Sequence, residues 1–189
     1  MTIPFQCRCG QVQGEIEPAG AYARATCYCN DCRAYAQWLG VPGLLDDAGG
    51  VDVVAMPPSH LRFTRGMEQV ACMSWSERGI HRWYAACCRT PLGNTPRNPK
   101  VHYVGVSTAC LEGAGAAVEK AFGPPRRCLV ATASATAPVR KRPLGTVWGV
   151  LRVVVGLMGA RLRGRRESPF LDAATGKPIR APEIVRRRA

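Results

Sequence analysis

The stretch ATCYCNDC, residues 25–32, places Cys27, Cys29 and Cys32 within six positions. The N-terminal sequence MTIPFQCRCG has neither the basic region nor the apolar region of a signal peptide. We therefore expect a cytoplasmic protein whose thiols stay reduced. Clustered reduced thiols are more often metal ligands or catalytic groups than disulfides. The stretch is predicted to bind a metal ion, with a redox pair or simple core packing as the alternatives.

The spacing of these three cysteines favours zinc with one open coordination position. Three protein ligands and a vacant corner are typical of a catalytic zinc, and the corner can take water or an incoming thiolate. A C-x-x-C redox pair usually opens a helix in a βαβ unit, and the surroundings here are rich in predicted strands. The other alternative is that Cys27 faces the core while Cys29 and Cys32 join another site.

Four more cysteines are predicted to form a closed structural zinc site. Cys7 and Cys9 make a C-x-C, and Cys87 and Cys88 are adjacent some 80 residues later. Zinc holds thiolates at about 2.3 Å in a tetrahedron, and ligands on one tight turn reach two of its corners. Whether Cys87, Cys88 or both complete the site stays open. A three-ligand site completed by water or by His81 is a further alternative.

The remaining cysteines, Cys72, Cys110 and Cys128, stand alone in apolar, strand-like sequence. A free cysteine in such a context behaves as a small apolar residue. All three are therefore predicted to be core residues and not metal ligands.

The first hundred or so residues predict a mainly β fold of antiparallel strands. Six segments of strand length carry alternating, β-branched or aromatic residues and are separated by Gly- and Pro-containing turns. They are residues 11–17, 22–27, 61–66, 69–75, 81–86 and 101–107. Two short helices are predicted, one over roughly 31–39 with Asn30 as its N-cap and one over roughly 115–122.

The positive charge of the chain is concentrated in its last quarter. Residues 1–138 carry 13 basic and 10 acidic side chains, a net charge of +3, whereas residues 139–189 carry 13 and 3, a net charge of +10. We therefore predict a zinc-binding domain over 1–130, a linker over 131–143 and a basic helix and tail over 144–189. Any contact with nucleic acid or membrane is expected to involve this tail.

Residues 144–160 are an apolar run with Arg152 near the middle. The run is short for a membrane span, which needs about 20 apolar residues, and a central arginine is costly there. An amphipathic helix is predicted instead. Its apolar face consists of Val147, Val150, Leu151, Val154 and Leu157. We expect this face to dock on the β domain, with membrane-surface attachment or nucleic-acid contact as alternatives.

Three motifs together resemble the glutathione-dependent formaldehyde-activating enzyme family, which includes centromere-protein-V-like proteins. They are CRCGQV at 7–12, ATCYCNDCR at 25–33 and RWYAACCRTPLGNT at 82–95, and the resemblance covers residues 5–112. It implies a zinc-pinned, mainly β fold, often called a β-tent. It also implies condensation of formaldehyde with glutathione to S-hydroxymethylglutathione.

The resemblance also implies ligand sets. Cys7 and Cys9 would share a structural zinc with the late cysteine pair, and a second zinc would lie on Cys27, Cys29 and Cys32.

The late motif departs from the family's C-x-x-C-G-T pattern. Cys88 aligns with the second cysteine, Arg89 with the glycine, and Ala85 with the first cysteine. Cys87 can substitute for that missing first cysteine.

The sequence thus predicts a carbon–sulfur lyase-like protein with one to two zinc ions, acting on a thiol–aldehyde adduct with glutathione as the small thiol partner. Asp31 is a candidate base or simply a helix N-terminal charge, and Arg24, Arg33 and Trp38 are candidates to line a pocket. The alternative is a non-enzymatic, zinc-stabilised binding module whose basic tail contacts a membrane surface or nucleic acid. The substrate and the oligomeric state stay open.

Overall fold

Strands dominate the residues that the computed structural model describes, which are 2–165 and 167–186, without the side chains of 112–114. The fold is mainly β, as predicted. The strands are β1 Ile3–Gln6, β2 Gln13–Ile16, β3 Ala23–Cys27, β4 Val51–Met56, β5 Leu61–Arg65, β6 Val70–Ser74, β7 His81–Ala85, β8 Pro91–Thr95, β9 Val104–Ser107, β10 Cys128–Val130 and β11 Glu183–Ile184. The helices are α1 Asn30–Leu39, α2 Gly115–Phe122 and α3 Pro143–Leu162.

The strands form two sheets. A three-stranded antiparallel sheet has the order β1-β2-β5, and an eight-stranded sheet has the order β10-β3-β4-β9-β8-β7-β6-β11. Inside the larger sheet every pairing is antiparallel. The two outermost strands, β10 and β11, pair with their neighbours in parallel. Both edges of the larger sheet are therefore formed by the C-terminal third of the chain.

One core cluster joins residues of both sheets. In β1 the alternating pattern buries Ile3 and Phe5 and exposes their neighbours, as the two-residue period of a strand requires. The ring of Phe5 meets Phe63 edge-on, at 5.4 Å between centroids, and Phe63 in turn meets Phe170 at 5.5 Å. Trp83, in the middle of β7, stacks on Phe170 at 4.9 Å between ring centroids.

The six predicted strand segments are all present, with shorter bounds, and α2 has the predicted bounds. Strands β1, β4, β8, β10 and β11 were not predicted. Four consecutive residues of β4 are buried, because neighbours cover the strand on both sides, so it shows no alternation. The N-cap of α1 is Cys29 and not Asn30 as predicted, because the Cys29 sulfur accepts the backbone N–H of Cys32.

The predicted linker over 131–143 and appendage over 144–189 do not form a separate unit. Phe170 is fully buried in the main core, and β11 pairs with β6 at the edge of the larger sheet. Residues 128–130, at the end of the predicted domain, form the opposite edge and also carry α3. The tail is part of the same packed unit because Phe170 completes the core and β11 forms one edge of the larger sheet.

The long C-terminal helix differs from the predicted basic amphipathic helix. It spans 20 residues, is apolar, and carries its basic residues chiefly in the segments on either side. Four residues of the face predicted to dock, Val147, Val150, Leu151 and Val154, are exposed. Small residues dock in their place, because Gly149 and Ala160 are the buried residues of α3.

Candidate metal centres

Four thiols meet where β1 ends and the β7–β8 turn begins, and we call Cys7, Cys9, Cys87 and Cys88 the four-cysteine cluster. Their sulfurs all lie within 4.8 Å of one another. The Sγ–Sγ distances are 3.5 Å for Cys7–Cys9, 3.8 Å for Cys7–Cys87 and 3.3 Å for Cys9–Cys87. Sulfurs at about 2.3 Å from a tetrahedral zinc are about 3.8 Å apart. The cluster therefore has the dimensions of a closed metal site, and both late cysteines belong to it.

A tight turn presents the first two cysteines. The backbone N–H of Gly10 donates to Cys7 O at 2.8 Å, and Cys7 N donates to Val12 O at 2.9 Å. Gly10 has a φ of 74°, which glycine adopts without steric cost. The N–H of Val12 donates to the Cys7 sulfur at 3.2 Å. Such a bond favours the thiolate form of the ligand.

The second half of the cluster is a strained turn between β7 and β8. Arg89 N donates to Ala85 O at 2.7 Å and closes the turn. Arg89 itself has a φ of 59°, in the left-handed region that favours glycine. Two adjacent cysteines can therefore face one site only because the next residue reverses the backbone. Thr90 joins the two halves, since its hydroxyl accepts the N–H of Arg8 at 3.0 Å and lies 3.1 Å from the Cys88 sulfur.

The thiols of this cluster differ in acidity. Burial raises the pKa of Cys88, but hydrogen bonds from Thr90 and from the Cys9 backbone outweigh it and bring the pKa down to about 6. Burial, with the neighbouring thiols Cys9 and Cys7, raises the pKa of Cys87. Burial also raises the pKa of Cys7. Cys88 thus ionises more readily than Cys7 and Cys87, and a bound metal ion would hold those two as thiolates as well.

The second group, which we call the three-cysteine cluster, lies where β3 leads into α1. Cys27 is the last residue of β3, Cys29 is the N-cap of α1, and Cys32 lies in the first turn of the helix. Their sulfurs all lie within 4.8 Å of one another, and no fourth His, Cys, Asp or Glu of the described residues joins them. This group therefore offers three protein ligands to a metal ion.

The position at a helix N-terminus favours a thiolate. Hydrogen bonds from the thiols of Cys27 and Cys32, and from the Cys32 backbone, lower the pKa of Cys29 to about 2. Hydrogen bonds with the thiols of Cys29 and Cys32 raise the pKa of Cys27, and burial adds to that effect. The positive end of the α1 dipole acts in the same direction on Cys29. Cys29 is thus the thiol of this cluster whose surroundings most favour the thiolate form.

A buried arginine that was not predicted from the sequence lies beside the three-cysteine cluster. The side chain of Arg82 is 1% exposed, and its Nη1 lies 3.9 Å from the Cys32 sulfur. Nη1 also donates to Asn94 Oδ1 at 3.5 Å, and Nη2 lies 4.0 Å from Asp31 Oδ2. An arginine in the middle of a strand between His81 and Trp83 is the sequence signal for it, because arginine is rarely buried without partners.

A small cavity adjoins the same cluster. It has a volume of about 20 Å³ and lies between α1, β4 and β8. Cys32, Tyr35, Arg82, Asn94 and Ser107 contribute to its wall. A cavity of this size holds about one water molecule, so it has room for a one-carbon group but not for a peptide.

The three residues that were predicted to line a pocket, Arg24, Arg33 and Trp38, do not line this cavity. Arg24 forms an ion pair with Asp52 at 2.7 Å, and Arg33 donates to Ser134 O at 2.7 Å. Trp38 packs against Tyr35 and Tyr84 and under the guanidinium of Arg89. Asp31 is more than half exposed and faces Arg82.

His81 lies outside both clusters and is buried against Trp83, with no hydrogen-bond partner for either ring nitrogen among the described residues. The three lone cysteines are buried, as predicted, and belong to neither cluster. They are Cys72, Cys110 and Cys128.

Comparison with known proteins gives a family but no activity. The crystal structure of a Rhodobacter sphaeroides protein, a structural genomics target, is 26% identical over 59% of this chain and 90% of its own, with a TM-score of 0.42. No curated protein matches the sequence. The model of a family of unknown function, DUF6151, matches residues 1–183. Because this match covers nearly the whole sequence, the chain belongs to the DUF6151 family.

Proposed function

We propose that the chain is a zinc protein with two unlike sites. The four-cysteine cluster holds a structural ion, and the three-cysteine cluster holds a second ion with one open position. The supporting observation is that seven of the ten cysteines converge into two groups, each with sulfurs within 4.8 Å. Thiolate sulfur favours zinc among the common divalent ions of proteins. Sites of this kind need reduced thiols, in keeping with the cytoplasmic location expected from the sequence.

We further propose that the three-cysteine cluster acts on a thiol–aldehyde adduct, as a carbon–sulfur lyase does. In the forward direction the sulfur of a thiol adds to the carbonyl carbon of an aldehyde, and the thiol proton ends on the carbonyl oxygen. In the reverse direction the carbon–sulfur bond breaks and the same proton returns to sulfur. S-hydroxymethylglutathione, the adduct implied by the sequence resemblance, is the proposed example.

Three features of this chain support that activity. The open side of the cluster admits a fourth ligand, and a bound zinc ion would hold an incoming thiol as thiolate. Arg82 places a fixed positive charge beside Cys32, where it stabilises negative charge on sulfur or on a carbonyl oxygen. The cavity has room for the one-carbon group only. The body of a larger thiol must therefore lie on the exposed side of the cluster.

Metal analysis of protein purified without chelator tests the two sites. We expect up to two zinc ions per chain. Cys29→Ser should lose the second ion alone, and Cys9→Ser should lose the first, with a drop in thermal stability, because that site joins β1 to the β7–β8 turn. A folded wild-type protein free of metal would contradict both sites, and oxidised thiols in it would favour redox sensing.

The activity has a separate test. Carbon-13-labelled formaldehyde and glutathione are mixed with zinc-loaded protein, and formation of the adduct is followed by NMR. We expect a rate above that of Cys29→Ala and equal to that of Cys128→Ala, which removes a buried thiol outside both clusters. A wild-type rate no higher than that of Cys29→Ala would exclude the activity and leave the metal sites standing.

A further inference from the structure

The outer face of α3 is a continuous apolar surface. Nine of its side chains are large, hydrophobic and 45–86% exposed. They are Leu144, Val147, Trp148, Val150, Leu151, Val154, Val155, Met158 and Leu162. A soluble protein rarely leaves so many neighbouring apolar side chains uncovered, and such a surface usually marks an interaction site.

This face points outward because the opposite face is made of small residues. A Cβ atom on Gly149 would lie 2.7 Å from the sulfur of Cys128, and one on Gly156 would collide with the ring of Tyr22. Thr146 fixes the helix further, since its hydroxyl accepts the N–H of Leu129 at 3.1 Å and donates to Leu129 O at 3.3 Å. The helix is thus held lengthwise against β10 and β3, with its large side chains directed away from the domain.

Arg152 does not interrupt the apolar surface. Successive residues of an α-helix are about 100° apart around its axis. Arg152 therefore lies about 60° from Gly149, on the flank next to the domain, whereas Met158 lies about 180° from Gly149. The basic side chain can extend sideways while the outer face remains apolar.

Basic residues lie at both ends of the helix. Arg140, Lys141 and Arg142 are exposed before it, and Arg161, Arg163 and Arg165 are exposed at its end. Residues 131–166 contain no Asp or Glu. Along the sequence, the apolar helix is therefore flanked by positive charge at both ends.

We propose that α3 lies in the plane of an anionic phospholipid surface, with its outer face in the acyl boundary and the flanking basic residues on the headgroups. An apolar face with arginines at its ends has the composition of an interfacial helix. Anionic lipids attract each nearby basic residue. The flanking basic residues thus complement the negative charge of the lipid headgroups, and the apolar face complements the acyl interior.

The packing of α3 favours an in-plane helix over a spanning one. The helix has the length and mean hydropathy of a membrane span. However, Thr146, Gly149 and Gly156 hold it against the β domain along its length. Inserting it across a bilayer would break those contacts or draw β10 into the lipid, where unpaired backbone groups are costly.

The basic flanks and the apolar face together disfavour a second copy of the chain or nucleic acid as the partner of α3. A second copy of the helix would bring two basic borders together, and no acidic residue of the helix would offset their repulsion. Nucleic acid would engage the arginines but leave the nine apolar side chains in water. A lipid surface satisfies both.

Vesicle sedimentation of the full-length protein tests the proposal. We expect binding to phosphatidylcholine with about 30% phosphatidylserine, weaker binding to phosphatidylcholine alone, and loss of binding as salt rises. Leu151→Asp with Val155→Asp should lower partitioning by about tenfold or more. Ile80→Asp, which changes an exposed apolar residue of the β6–β7 loop, should keep wild-type partitioning. Circular dichroism checks that each variant is folded.

Depth is measured by quenching of Trp148 with brominated lipids, and Trp148→Phe identifies its signal among the four tryptophans. Adding Val155→Trp to Trp148→Phe moves the probe to the middle of the helix. An in-plane helix gives equal shallow depths at both positions, whereas a spanning helix places residue 155 much deeper. Unequal depths would overturn the in-plane proposal. Any of three results would overturn lipid binding. They are retention on DNA but not on vesicles, a dimer that is lost when Leu151→Asp and Val155→Asp are combined, and equal partitioning of all variants.

Discussion

Arg89 has two opposing effects on stability, one through its backbone and one through its side chain. Its φ of 59° costs about 1 kcal/mol or more relative to glycine. Its guanidinium lies 4.8 Å from the Trp38 ring centroid and donates to Trp38 O at 3.3 Å. The stacking contributes about 0.5–1 kcal/mol. The side chain thus joins the turn of the four-cysteine cluster to the helix that carries the three-cysteine cluster.

Substitutions at Arg89 separate the two effects. Arg89→Gly should be nearly neutral, because the relief of backbone strain offsets the lost stacking. Arg89→Ala keeps the strain and should lose about 0.5–1 kcal/mol of unfolding free energy. Urea unfolding in the presence of zinc measures both. An alanine variant as stable as the glycine variant would show that the backbone is unstrained.

His81 predicts a loss of stability in mild acid. Burial, with a smaller contribution from Arg97, lowers the pKa of His81 below 6.5. Below about pH 6.5, His81 therefore binds a proton in the unfolded chain but not in the folded chain. The free energy of unfolding keeps its full value above about pH 6.5 and falls as the pH drops below it. The slope from one such group is at most about 1.4 kcal/mol per pH unit.

His81→Leu removes this proton-binding difference. Between about pH 7.5 and pH 5.5, with zinc in excess, the urea midpoint of wild type should fall more than that of His81→Leu. Parallel pH profiles for the two proteins would contradict a neutral His81. His102, whose pKa burial also lowers, leaves a residual slope of the same sign in the variant.

The clustering of the cysteines was predictable from the sequence, and the contact of Arg82 with Cys32 was not. Ligands two or three positions apart can reach one ion through local geometry, so the spacing of Cys27, Cys29 and Cys32 is enough to predict that their sulfurs cluster. Arg82 reaches Cys32 across 50 residues of sequence, through the pairing of distant strands. The participation of both Cys87 and Cys88 depends on the left-handed backbone of Arg89, which the sequence does not show for a non-glycine residue.

At the scale of the element, the glycines of α3 act through contact and not through flexibility. Gly149→Ala gains up to about 1 kcal/mol in helix propensity. Its Cβ would nevertheless lie 2.7 Å from Cys128 Sγ and 2.9 Å from Cys128 Cβ. The net effect should be a loss of about 1–3 kcal/mol, as for overpacked cores.

Gly159 is the matched control in the same helix. A Cβ there meets the tip of the Arg163 side chain at 3.0 Å, and that tip can move aside. Gly159→Ala should therefore stabilise the protein by up to about 1 kcal/mol. Thermal unfolding compares the two variants, and a Gly149→Ala protein as stable as Gly159→Ala would mean that α3 is not held against Cys128.

The periodicity of α3 predicted which residues share a face but not which face docks. An apolar stripe normally faces the core. Here Tyr22 and Cys128 lie so close to the helix axis that only glycine, which has no Cβ atom, fits against them. The large side chains are consequently turned outward.

At the scale of the whole molecule, Phe170 ties the tail to the core. Its ring is fully buried between Phe63 and Trp83. Phe170→Ala should lower the unfolding free energy by about 3–5 kcal/mol. Leu162→Ala, at a side chain 84% exposed, should change it by less than about 0.5 kcal/mol. Urea unfolding compares them, and an equal effect would mean that the tail is a separate appendage.

The two outermost strands of the larger sheet could not be predicted because they are too short to show a period. β10 has three residues and β11 has two. Both pair in parallel with strands that are far away in sequence, so no hairpin turn in the sequence indicates where they lie. The mainly β class was predictable because the inner strands are longer and joined by recognisable turns.

The placement of the sheet edges has a consequence for the order of events during synthesis. All seven clustered cysteines lie within the first 88 residues, whereas β10 begins at residue 128 and β11 at residue 183. On the ribosome, the cysteines of both clusters have been made while the two edges of the larger sheet are still open. The proposed ions would keep the strands of the nascent sheet together during this interval, whereas without them the unprotected edges would pair with other chains. Zinc-starved cells should accumulate this protein as aggregates of newly made chains, while molecules finished before starvation stay dispersed.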